Sequence, residues 1–401
     1  MSELVRATRR VVATVAGLVL DRWIRITISR SLGEISGSFV LELRDDVRNL
    51  ATWLYASFGS IGPLVIGQRI VITIDGETVL VGWVEDVQAD AGDGEVRLAI
   101  AGRDITGDLV DCAAAPEGPV EYFKLTCAQL GERLVQPFGL SCRCDVDPGE
   151  PFDKCSIDAA ETVVSVLEKH ARQRKLLVTS DGVEGLVLTR SGQEPAAGPI
   201  VFPGRGVMRS SGTFAARDRF SHYFVKGQAE KAGGARARSA PMTPGTTPGG
   251  RTDGAAAAYR ARNGGGNITD SGGRRGGGRV RSAERGGVEN HGLALDPEIT
   301  RWRPIVAMMK SQESAGGAQQ QAEWMTAVHK ARGINMAYTV SDWRGASGAL
   351  WRPNTIARVR DRYQQVDEDL LIDAVDLIYG EEGAVAELRL VGPEAYSEEG
   401  A

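Results

Sequence analysis

The sequence predicts a mainly β protein of the α+β class, with two similar small β-barrel domains, α/β connecting domains and a long Gly/Arg-rich insertion. Three observations predict it: apolar residues alternate between turn signals through most of the chain, helical spacing occurs at only three places, and glycine is concentrated in one segment. The 401 residues correspond to two to four domains at roughly 150 residues each. Such a chain buries far more apolar surface than a minimal core needs.

The composition excludes several classes of protein. Apolar residues make up 42% of the chain and charged residues 25%, and no run approaches the ~18 uninterrupted apolar residues of a membrane-spanning helix. The 47 basic and 52 acidic residues give a net charge of -5, which excludes a generally basic nucleic-acid binder. We therefore expect a soluble protein with no stable membrane association.

The cysteines predict neither disulfides nor a metal site. An odd, sparse set of five in a chain of this length is typical of a reducing compartment. Cys142 and Cys144 would share one face of a strand, but zinc sites bring a second Cys or His pair, and the four histidines are scattered. We expect no metal and no cofactor.

The N-terminal region predicts strands rather than a secretion signal. Arginines precede the apolar run of residues 11–20, but Gly17 interrupts that run and no small-x-small cleavage site follows. Strand-forming residues instead predict a β-strand pair at residues 11–15 and 23–29.

A meander of three strands is predicted next. Isoleucines alternate from Ile70 to Ile74, Asp75-Gly76 suits a tight hairpin turn, and residues 79–87 return. The same alternation continues from residue 96 and ends at Gly102.

Helical spacing occurs at three places. Thr126 caps the first helix, and the third covers residues 319–332. In the second, Asp158 and Glu161 fit the N-cap and N3 positions, and a basic last turn at residues 172–175 suits the negative end of the helix dipole. The remaining predicted strands are residues 176–179, 186–190, 334–340, 355–361, 370–379 and 385–391.

A weak internal repeat relates the two strand-rich regions. A shift of 290 residues places Leu80 on Leu370, and the same alternation follows in both copies. Gly67 and Asn354, both tolerant of left-handed backbone, precede the strand that opens each copy. A true duplication and a chance match of two meanders both fit this pattern. A duplication would give two similar β-barrels.

Residues 231–287 differ from the rest of the chain. They hold 16 of the 50 glycines, and ten arginines and one lysine against three acids give a charge of +8, so the remainder carries about -13. Large apolar residues are nearly missing there, so little offsets the entropy cost of ordering. The composition predicts a flexible insertion.

These features predict a division of the chain into domains. The predicted parts are a first β-barrel domain at 1–108, an α/β connecting domain at 109–175, a discontinuous second β-barrel domain at 176–228 plus 334–396, a flexible Gly/Arg-rich insertion at 229–292 and a helical segment at 293–333.

We expect no catalytic residue, because no constellation has the spacing that its mechanism demands. Phosphate-binding loops, zinc-protease motifs and nucleophile elbows are missing from the sequence. The pairs Asp45-Asp46 and Asp104 with Asp108 could act as general acid and base. Acidic pairs in a chain with 52 carboxylates are, however, usually solvated or capping.

The insertion is the strongest local indication of a partner. Arg274, Arg275, Arg279 and Arg281 lie among glycines as in tails that contact nucleic-acid backbones, so they are the candidate nucleic-acid contacts. Tyr259 is the one aromatic residue of the segment, and a solvated surface loop explains the same composition.

A series of motifs along the chain resembles a known family. They are GRDITGDLVDCAA at 102–114, PFGL at 137–140, Y-x-V-K-G-Q at 223–228, A-E-W at 322–324, K-A-R-G at 330–333, V-S-D-W-R at 340–344, L-W-R-P-N at 350–354, L-L-I-D-A-V at 370–375 and L-V-G-P-E-A at 390–395. In this order and spacing they resemble the baseplate hub proteins, late control protein D-like, of Mu-like contractile-tailed phages.

The resemblance implies a structural protein of the virion tail baseplate, assembled in the host cytoplasm, and not an enzyme. It implies a homotrimer whose two barrels per subunit approximate a sixfold ring. Such a ring adapts the sixfold tail tube to the threefold spike and forms a channel for the genome. The implied partners are the tail tube protein, the central spike protein, other baseplate proteins and DNA in the channel. The insertion is longer and more basic than the family predicts.

Two other functions stay open at this stage: a nucleic-acid-binding protein acting through the Gly/Arg-rich segment, and a tail-associated cell-wall hydrolase. Four glycines are predicted to serve backbone geometry: Gly67, Gly102, Gly333 and Gly392. Four tryptophans are predicted as core or subunit contacts: Trp53, Trp83, Trp343 and Trp351.

Overall fold

The computed structural model describes residues 9–15, 17–44, 66–92, 95–204, 206–228, 289–308, 315–381 and 383–397. This part of the chain is mainly β, as predicted. Its strands are β1 Val11–Val15, β2 Leu18–Leu20, β3 Trp23–Ser31, β4 Ser38–Arg44, β5 Arg69–Ile74, β6 Glu77–Gly92, β7 Glu95–Asp104, β8 Glu121–Leu125, β9 Ser141–Cys144, β10 Phe152–Ser156, β11 Leu177–Ser180, β12 Gly185–Thr189, β13 Glu194–Pro195, β14 Ile200–Phe202, β15 Val207–Phe214, β16 His222–Gln228, β17 Glu289–Leu295, β18 Pro304–Met308, β19 Ile334–Val340, β20 Thr355–Asp361, β21 Val366–Gly380 and β22 Gly383–Val391. Its α-helices are α1 Gly107–Asp111, α2 Cys127–Val135, α3 Val163–Gln173 and α4 Ala315–Arg332, and short 3-10 helices cover Gln136–Phe138 and Pro393–Tyr396.

One large sheet contains two units of the same topology. In the first unit the strand order is β3-β4-β7-β6-β5, and in the second it is β15-β19-β22-β21-β20. All eight neighbouring pairs within the units are antiparallel. The shared order supports a true duplication over a chance match of patterns.

The two units share a β-bulge in their longest hairpin. The register of β6 on β7 shifts between Val84 and Asp86, and that of β21 on β22 shifts between Ile372 and Ala374. The bulges therefore align at an offset of 288 residues, and the predicted offset of 290 is wrong by two. Because side chains alternate with a period of two, a two-residue error keeps the same face of the strand toward the core, so alternation could not reveal it.

A second bulge and one left-handed residue also recur. The register of β3 on β4 shifts after Trp23, and that of β15 on β19 shifts after Val207, an offset of 184. Gly67 has φ +85° and Asn354 has φ +62°, and their N–H groups donate to the carbonyls of residues 84 and 372. Bulges are built features rather than defects, so their recurrence indicates one framework used twice.

The predicted meander is confirmed, and one predicted pairing is wrong. Asp75 and Gly76 both have positive φ, as a tight turn between β5 and β6 requires. Residues 11–15 and 23–29 are strands, but they do not pair with each other: β1 pairs with β2 and β5, and β3 pairs with β4 and β21. Strand propensity identifies a strand but not its partner.

The connecting region confirms one predicted helix start and corrects another. Thr126 forms a capping box with Gln129 at the start of α2. The helix α3 begins one turn later than predicted, with Thr162 as its N-cap. The predicted N-cap, Asp158, instead lies in a turn closed by Glu161, and Ala160 at φ +66° cannot belong to the helix.

The hairpin of β11 and β12 lies with the connecting region, whereas the predicted division placed residues 176–190 in the second β-barrel domain. The strand β12 pairs in parallel with β9, and Val178, Leu186 and Leu188 of the hairpin are buried in one apolar cluster with residues of α2 and α3. A hairpin pattern is local and does not report which sheet the hairpin joins, so the sequence could not assign it.

A separate sheet of β16, β17 and β18 packs on α4, so β16 also lies outside the second unit. Tyr223 and Val225 of β16 are buried against Ala318 and Ala322 of the helix. The helix begins at Ala315, four residues before its predicted start at 319. Residues 289–295 and 304–308, predicted as part of the insertion and of a helical segment, form the strands β17 and β18 instead.

Candidate assembly surfaces

One strand pairing joins the two units within the chain. The end of β21 runs antiparallel to β3, from Ala374 opposite Ser31 to Tyr379 opposite Ile26. Ile28 and Leu377 face each other in this register and are both buried. The pairing makes the cores of the two units continuous, since both residues belong to one apolar cluster.

Ion pairs form a second contact between the units. The guanidinium of Arg9 binds the Asp342 carboxylate at 2.5 Å (Nη2–Oδ2) and Asp75 at 3.0 Å (Nη1–Oδ2). The hydrogen bonds that Arg9 donates to the Asp342 carboxylate raise the pKa of Arg9. Arg344 also reaches across, to Glu77 at 2.9 Å (Nη2–Oε2). Partly exposed pairs contribute ~0–1 kcal/mol each, so they orient the units more than they stabilise them.

The buried carboxylate of Asp104 joins the first unit to the connecting region. It accepts the backbone N–H of Gly37 at 2.8 Å and of Thr106 at 2.9 Å, and the hydroxyls of Ser36, Thr106 and Ser180. A carboxylate with no exposed surface is tolerated because donors replace its water. Its oxygens are thus occupied, and Asp108 on α1 is exposed, so these two do not form an acid–base pair for hydrolysis.

A cleft of about 820 Å³ lies where the two units and the connecting hairpin meet. Arg30 lines it and donates to the Ser180 carbonyl at 2.6 Å, and desolvation lowers the pKa of this guanidinium. Trp351 lines it as well. The described residues contain no group of three or more His, Cys, Asp or Glu side chains that could hold a metal ion.

The cysteine thiols offer no activated nucleophile in the core. Burial raises the pKa of Cys127 and of Cys142 to about 12, far from the thiolate state that nucleophilic chemistry needs. All five cysteines are free thiols.

The four predicted glycines each serve backbone geometry. A Cβ on Gly102 would lie 2.0 Å from the Trp83 carbonyl oxygen, one on Gly333 would lie 2.7 Å from the Ala215 carbonyl oxygen, and one on Gly392 would meet α4 at 2.6 Å. The fourth, at position 67, has positive φ and open space around it.

The predicted tryptophans divide between core and boundary. Trp343 is fully buried and its indole N–H donates to the carbonyls of Ile378 and Val385. Trp351 is also buried in the shared core. Trp83 is half-buried, and Trp53 lies outside the described residues.

Two strand edges of the sheet lack a neighbour in the described part of the chain. From residue 86 onward β6 pairs only with β7, whereas its counterpart β21 pairs with both β22 and β3. Likewise β15 pairs only with β19, whereas its counterpart β3 pairs with both β4 and β21. Sequence reasoning missed these edges, because alternation reports the buried face of a strand and not its neighbours.

The candidate nucleic-acid contacts Arg274, Arg275, Arg279 and Arg281 lie outside the described residues. The structure does describe the two residues that flank the insertion. Gln228 and Glu289 lie opposite each other at the end of the β16–β17 hairpin. The insertion therefore leaves and rejoins the fold at adjacent residues. Among the described helices, none has the length and apolarity needed to cross a membrane.

Three family models match separate parts of the chain. Residues 10–104 match the N-terminal domain of Mu phage baseplate assembly protein GpP-like, residues 106–190 match the second domain of baseplate hub protein gp44-like, and residues 314–399 match the fourth domain of Mu phage baseplate assembly protein GpP. The second match ends at the hairpin of β11 and β12, in agreement with the packing of that hairpin on the connecting region.

Proteins that match this chain over most of its length are also phage or prophage tail proteins. The baseplate hub protein gp44 of Escherichia phage Mu is 25% identical over 374 residues, which cover 91% of this chain and 83% of that protein. The 43 kDa tail protein of prophage MuSo2 from Shewanella oneidensis is 27% identical, with a TM-score of 0.72 over 97% of this chain and 99% of that chain. A tail protein from Neisseria meningitidis MC58 shares the fold, with 18% identity and a TM-score of 0.68 over 98% and 99% of the two chains.

Proposed function

Because this chain is related along most of its length to the baseplate hub proteins of Mu-like contractile-tailed phages, we propose that it is the hub of a contractile phage tail or of a phage-derived injector. It is a structural protein of the virion tail and not an enzyme. The observation that carries the proposal is the duplicated unit: strand order, two bulges and one left-handed residue recur within one chain.

The finer proposal is a homotrimeric ring. Three copies of a chain with two like units offer six similar surfaces to a sixfold tail tube, while the threefold axis suits a trimeric spike. The partners are accordingly the tail tube protein above, the central spike protein below and other baseplate proteins around the ring. The opening of the ring is the channel through which DNA passes.

Mass and shape in solution test the ring. Light scattering on the size-separated protein is expected to give three times the 42.8 kDa chain mass, and negative-stain images are expected to show an annulus with a central hole. A monomer at micromolar concentration contradicts the ring. The purified protein is further expected to bind the tail tube and spike proteins encoded beside it, and failure to bind either one contradicts the adaptor role.

A second candidate function, nucleic-acid binding, rests on the +8 charge of residues 231–287. Their deletion joins β16 to β17 by a short connection at the paired residues Gln228 and Glu289. If the segment binds DNA, the deletion abolishes the affinity for a labelled duplex and leaves assembly intact, and the parent's affinity falls steeply between 50 and 200 mM salt. Equal affinity of parent and deletion variant contradicts this function. Peptidoglycan zymography tests the hydrolase alternative, with no clearing expected.

A further inference from the structure

We propose that the cleft between the two units and the connecting hairpin binds a small organic monocarboxylate with an apolar body. The carboxylate pairs with the guanidinium of Arg30, and the indole N–H of Trp351 supplies a second donor; both residues line the cleft. The site lies within one chain, so it does not depend on the proposed ring. A ligand there contacts the first unit, the second unit and the connecting region together.

Arg30 occupies a core-facing position at the end of β3. Side chains alternate along a strand, and Ile26 and Ile28, on the same face as Arg30, are buried. Arg30 lies opposite Val375 of β21, where the two units join. At the bulge offset of 184, its counterpart in the second unit is Phe214. The shared framework accepts an apolar residue at this position, so the fold itself does not require a cation there.

The guanidinium of Arg30 is held in place but has few partners. The side chain passes close to two glycines: a Cβ at Gly37 would lie 3.2 Å from Arg30 Cγ, and one at Gly182 would lie 3.3 Å from Arg30 Cζ. Among the described residues the guanidinium makes one hydrogen bond, from Nη2 to the Ser180 carbonyl at 2.6 Å, and no ion pair. A guanidinium has several N–H donors, so most of them remain for a ligand.

Neighbouring carboxylates compensate this cation only in part. Desolvation has the largest effect on the pKa of Arg30 and lowers it. The charges of Asp104 and Asp181 raise this pKa, whereas that of Arg352 lowers it further. Asp104 is already occupied by backbone and hydroxyl donors, and Oδ1 of Asp181 accepts the N–H groups of residues 183–185. A desolvated cation without a paired anion is unfavourable, so an anion in the cleft stabilises the structure.

Trp351 provides the second donor. It is 6% exposed, and its indole Nε1 is buried with no hydrogen-bond partner among the described residues. Trp343 shows the usual arrangement of a buried indole, because its N–H donates to two backbone carbonyls. Leaving a buried N–H without an acceptor is unfavourable. A ligand oxygen beside Trp351 would satisfy it.

The floor of the cleft favours a ligand with an apolar body. Its volume of about 820 Å³ lies in the range of small-molecule sites. Five buried aliphatic side chains line it: Ile28, Val187, Leu350, Val375 and Leu377. Aliphatic side chains offer no hydrogen bonds, so the part of the ligand that they contact is apolar.

The acidic residues of the lining favour one negative charge over several. Glu77 and Asp145 are each bound by an arginine, at 3.0 Å (Oε1–Nη2) and 2.7 Å (Oδ1–Nε) respectively, so these pairs are neutral. Glu184 and Glu194 are exposed. Their charges repel a multiply charged anion such as phosphate more than they repel a monocarboxylate.

Calorimetric titration with 4-phenylbutyrate tests the site, and 4-phenylbutanol is the neutral analogue. We expect 4-phenylbutyrate to bind one site per chain with a Kd below about 1 mM and to raise the Tm. The alcohol and inorganic phosphate are each expected to bind at least about tenfold more weakly. Equal affinity for the alcohol, or tighter binding of phosphate, overturns the carboxylate assignment. No binding of 4-phenylbutyrate at about 10 mM overturns the site.

Variants locate the binding. Arg30→Gln is expected to weaken 4-phenylbutyrate binding at least about tenfold, and Arg30→Lys, which keeps the charge but not the planar fork, by less. Trp351→Phe is expected to weaken it about two- to tenfold. The control is Arg143→Gln, which removes an arginine of the lining that is already paired and is expected to change affinity less than about threefold. Circular dichroism and the Tm without ligand check the fold of each variant.

Arg30→Gln that binds as tightly as the parent, or no more weakly than Arg143→Gln, overturns the role of Arg30. If Arg30→Gln does not fold, Arg30→Lys and the comparison of acid with alcohol on the parent chain decide the question. Absence of binding leaves the hub function standing, because tube and spike binding are measured separately. A monomer in light scattering contradicts the ring and leaves the 4-phenylbutyrate result unchanged.

Discussion

The two units of the sheet keep one framework while their turns differ greatly in length. In the first unit, residues 32–37 connect β3 to β4; in the second, residues 215–333 connect β15 to β19 and hold a small sheet, the helix α4 and the Gly/Arg-rich segment. The bulges and pairing order are nonetheless the same. The comparison shows that the buried faces and bulges of the strands fix the register, while surface turns accept long insertions.

The two units also differ at one equivalent core position, which holds a glycine in the first unit and a large apolar side chain in the second. At the offset of 288, Gly102 of the first unit corresponds to Leu390 of the second. A Cβ at Gly102 would lie 2.0 Å from a backbone oxygen, whereas Leu390 is fully buried in the core. In the first unit the strands approach too closely for a side chain, and in the second the same place is filled by one.

Replacing that glycine is expected to have the largest effect on stability. Gly102→Ala sets a methyl group against backbone that cannot yield, so we expect a loss above about 4 kcal/mol and little soluble protein. Leu390→Ala leaves a cavity and is expected to cost about 2–5 kcal/mol. Thermal unfolding checks both. Gly380→Ala is the control, because nothing lies near its Cβ position, and a Gly102→Ala protein as stable as this control would contradict the close approach.

Removing the indole donor of Trp343 tests the second unit separately. Trp343→Phe keeps most of the buried volume but leaves the carbonyls of Ile378 and Val385 without this N–H donor. We expect a loss of about 1–3 kcal/mol, measured by chemical denaturation. Trp83→Phe in the first unit, where the side chain is only half-buried, is the control and is expected to cost less. Equal losses would show that burial is not what separates the two residues.

Charging the exposed end of β15 sharpens the contrast between covered and uncovered edges. Phe214→Asp is expected to weaken association between copies by about 10–100-fold, since burying a phenylalanine is worth ~1.5–3 kcal/mol. Thermal stability of the isolated chain should change little, because the side chain is already exposed. Sedimentation over a concentration series measures the effect. Met208→Asp, at the opposite end of the same strand and also exposed, is the control.

Cutting the ion pairs between the units is expected to cost little. Arg9→Ala removes the contacts to Asp75 and Asp342, and a loss of at most about 1 kcal/mol is expected. The difference from the parent should shrink further at 1 M salt, where charges are screened. A larger, salt-independent loss in the unfolding free energy would show that packing rather than charge holds this contact.

The smallest predicted effect is a pH dependence of stability at the two bulges. Their extra residues are Glu85 in the first unit and Asp373 in the second. Glu85 of the first unit is bound by Arg103 at 2.8 Å (Oε1–Nη2), whereas Oδ1 of Asp373 in the second unit is buried without a hydrogen-bond partner. Desolvation raises the pKa of Asp373 above its ordinary 3.8. Its contribution to stability is therefore complete below pH 3.8 and is lost as the pH rises through the raised value.

The variant Asp373→Asn removes this titration. Its unfolding free energy is expected to fall less than that of the parent as the pH rises from about 4 to 7. Matched urea titrations at several pH values measure the difference. Glu85→Gln is the control on the exposed bulge, and parallel curves for Asp373→Asn and the parent would contradict the role of burial.

Local features of the fold were predictable from the sequence, and long-range ones were not. Asp75-Gly76 predicted a turn because only a few residue types accept its backbone, and Thr126 predicted a helix start through its own side chain. Asp158 misled because Thr162, a second suitable cap, lies four residues later and α3 uses that one. Partners of strands depend on the whole chain, which is why the hairpin of β11 and β12 and the two uncovered edges emerged only from the structure.

The pairing of Gln228 with Glu289 makes the insertion exchangeable. Opposed residues of an antiparallel pair are only about 4.5–5.5 Å apart, so any polypeptide whose ends meet can replace what lies between them without straining the hairpin. A fluorescent domain or an affinity handle grafted there would leave the duplicated framework untouched. The site of the insertion is therefore a place where the chain can change in length without a change in the β-sheet framework that carries it.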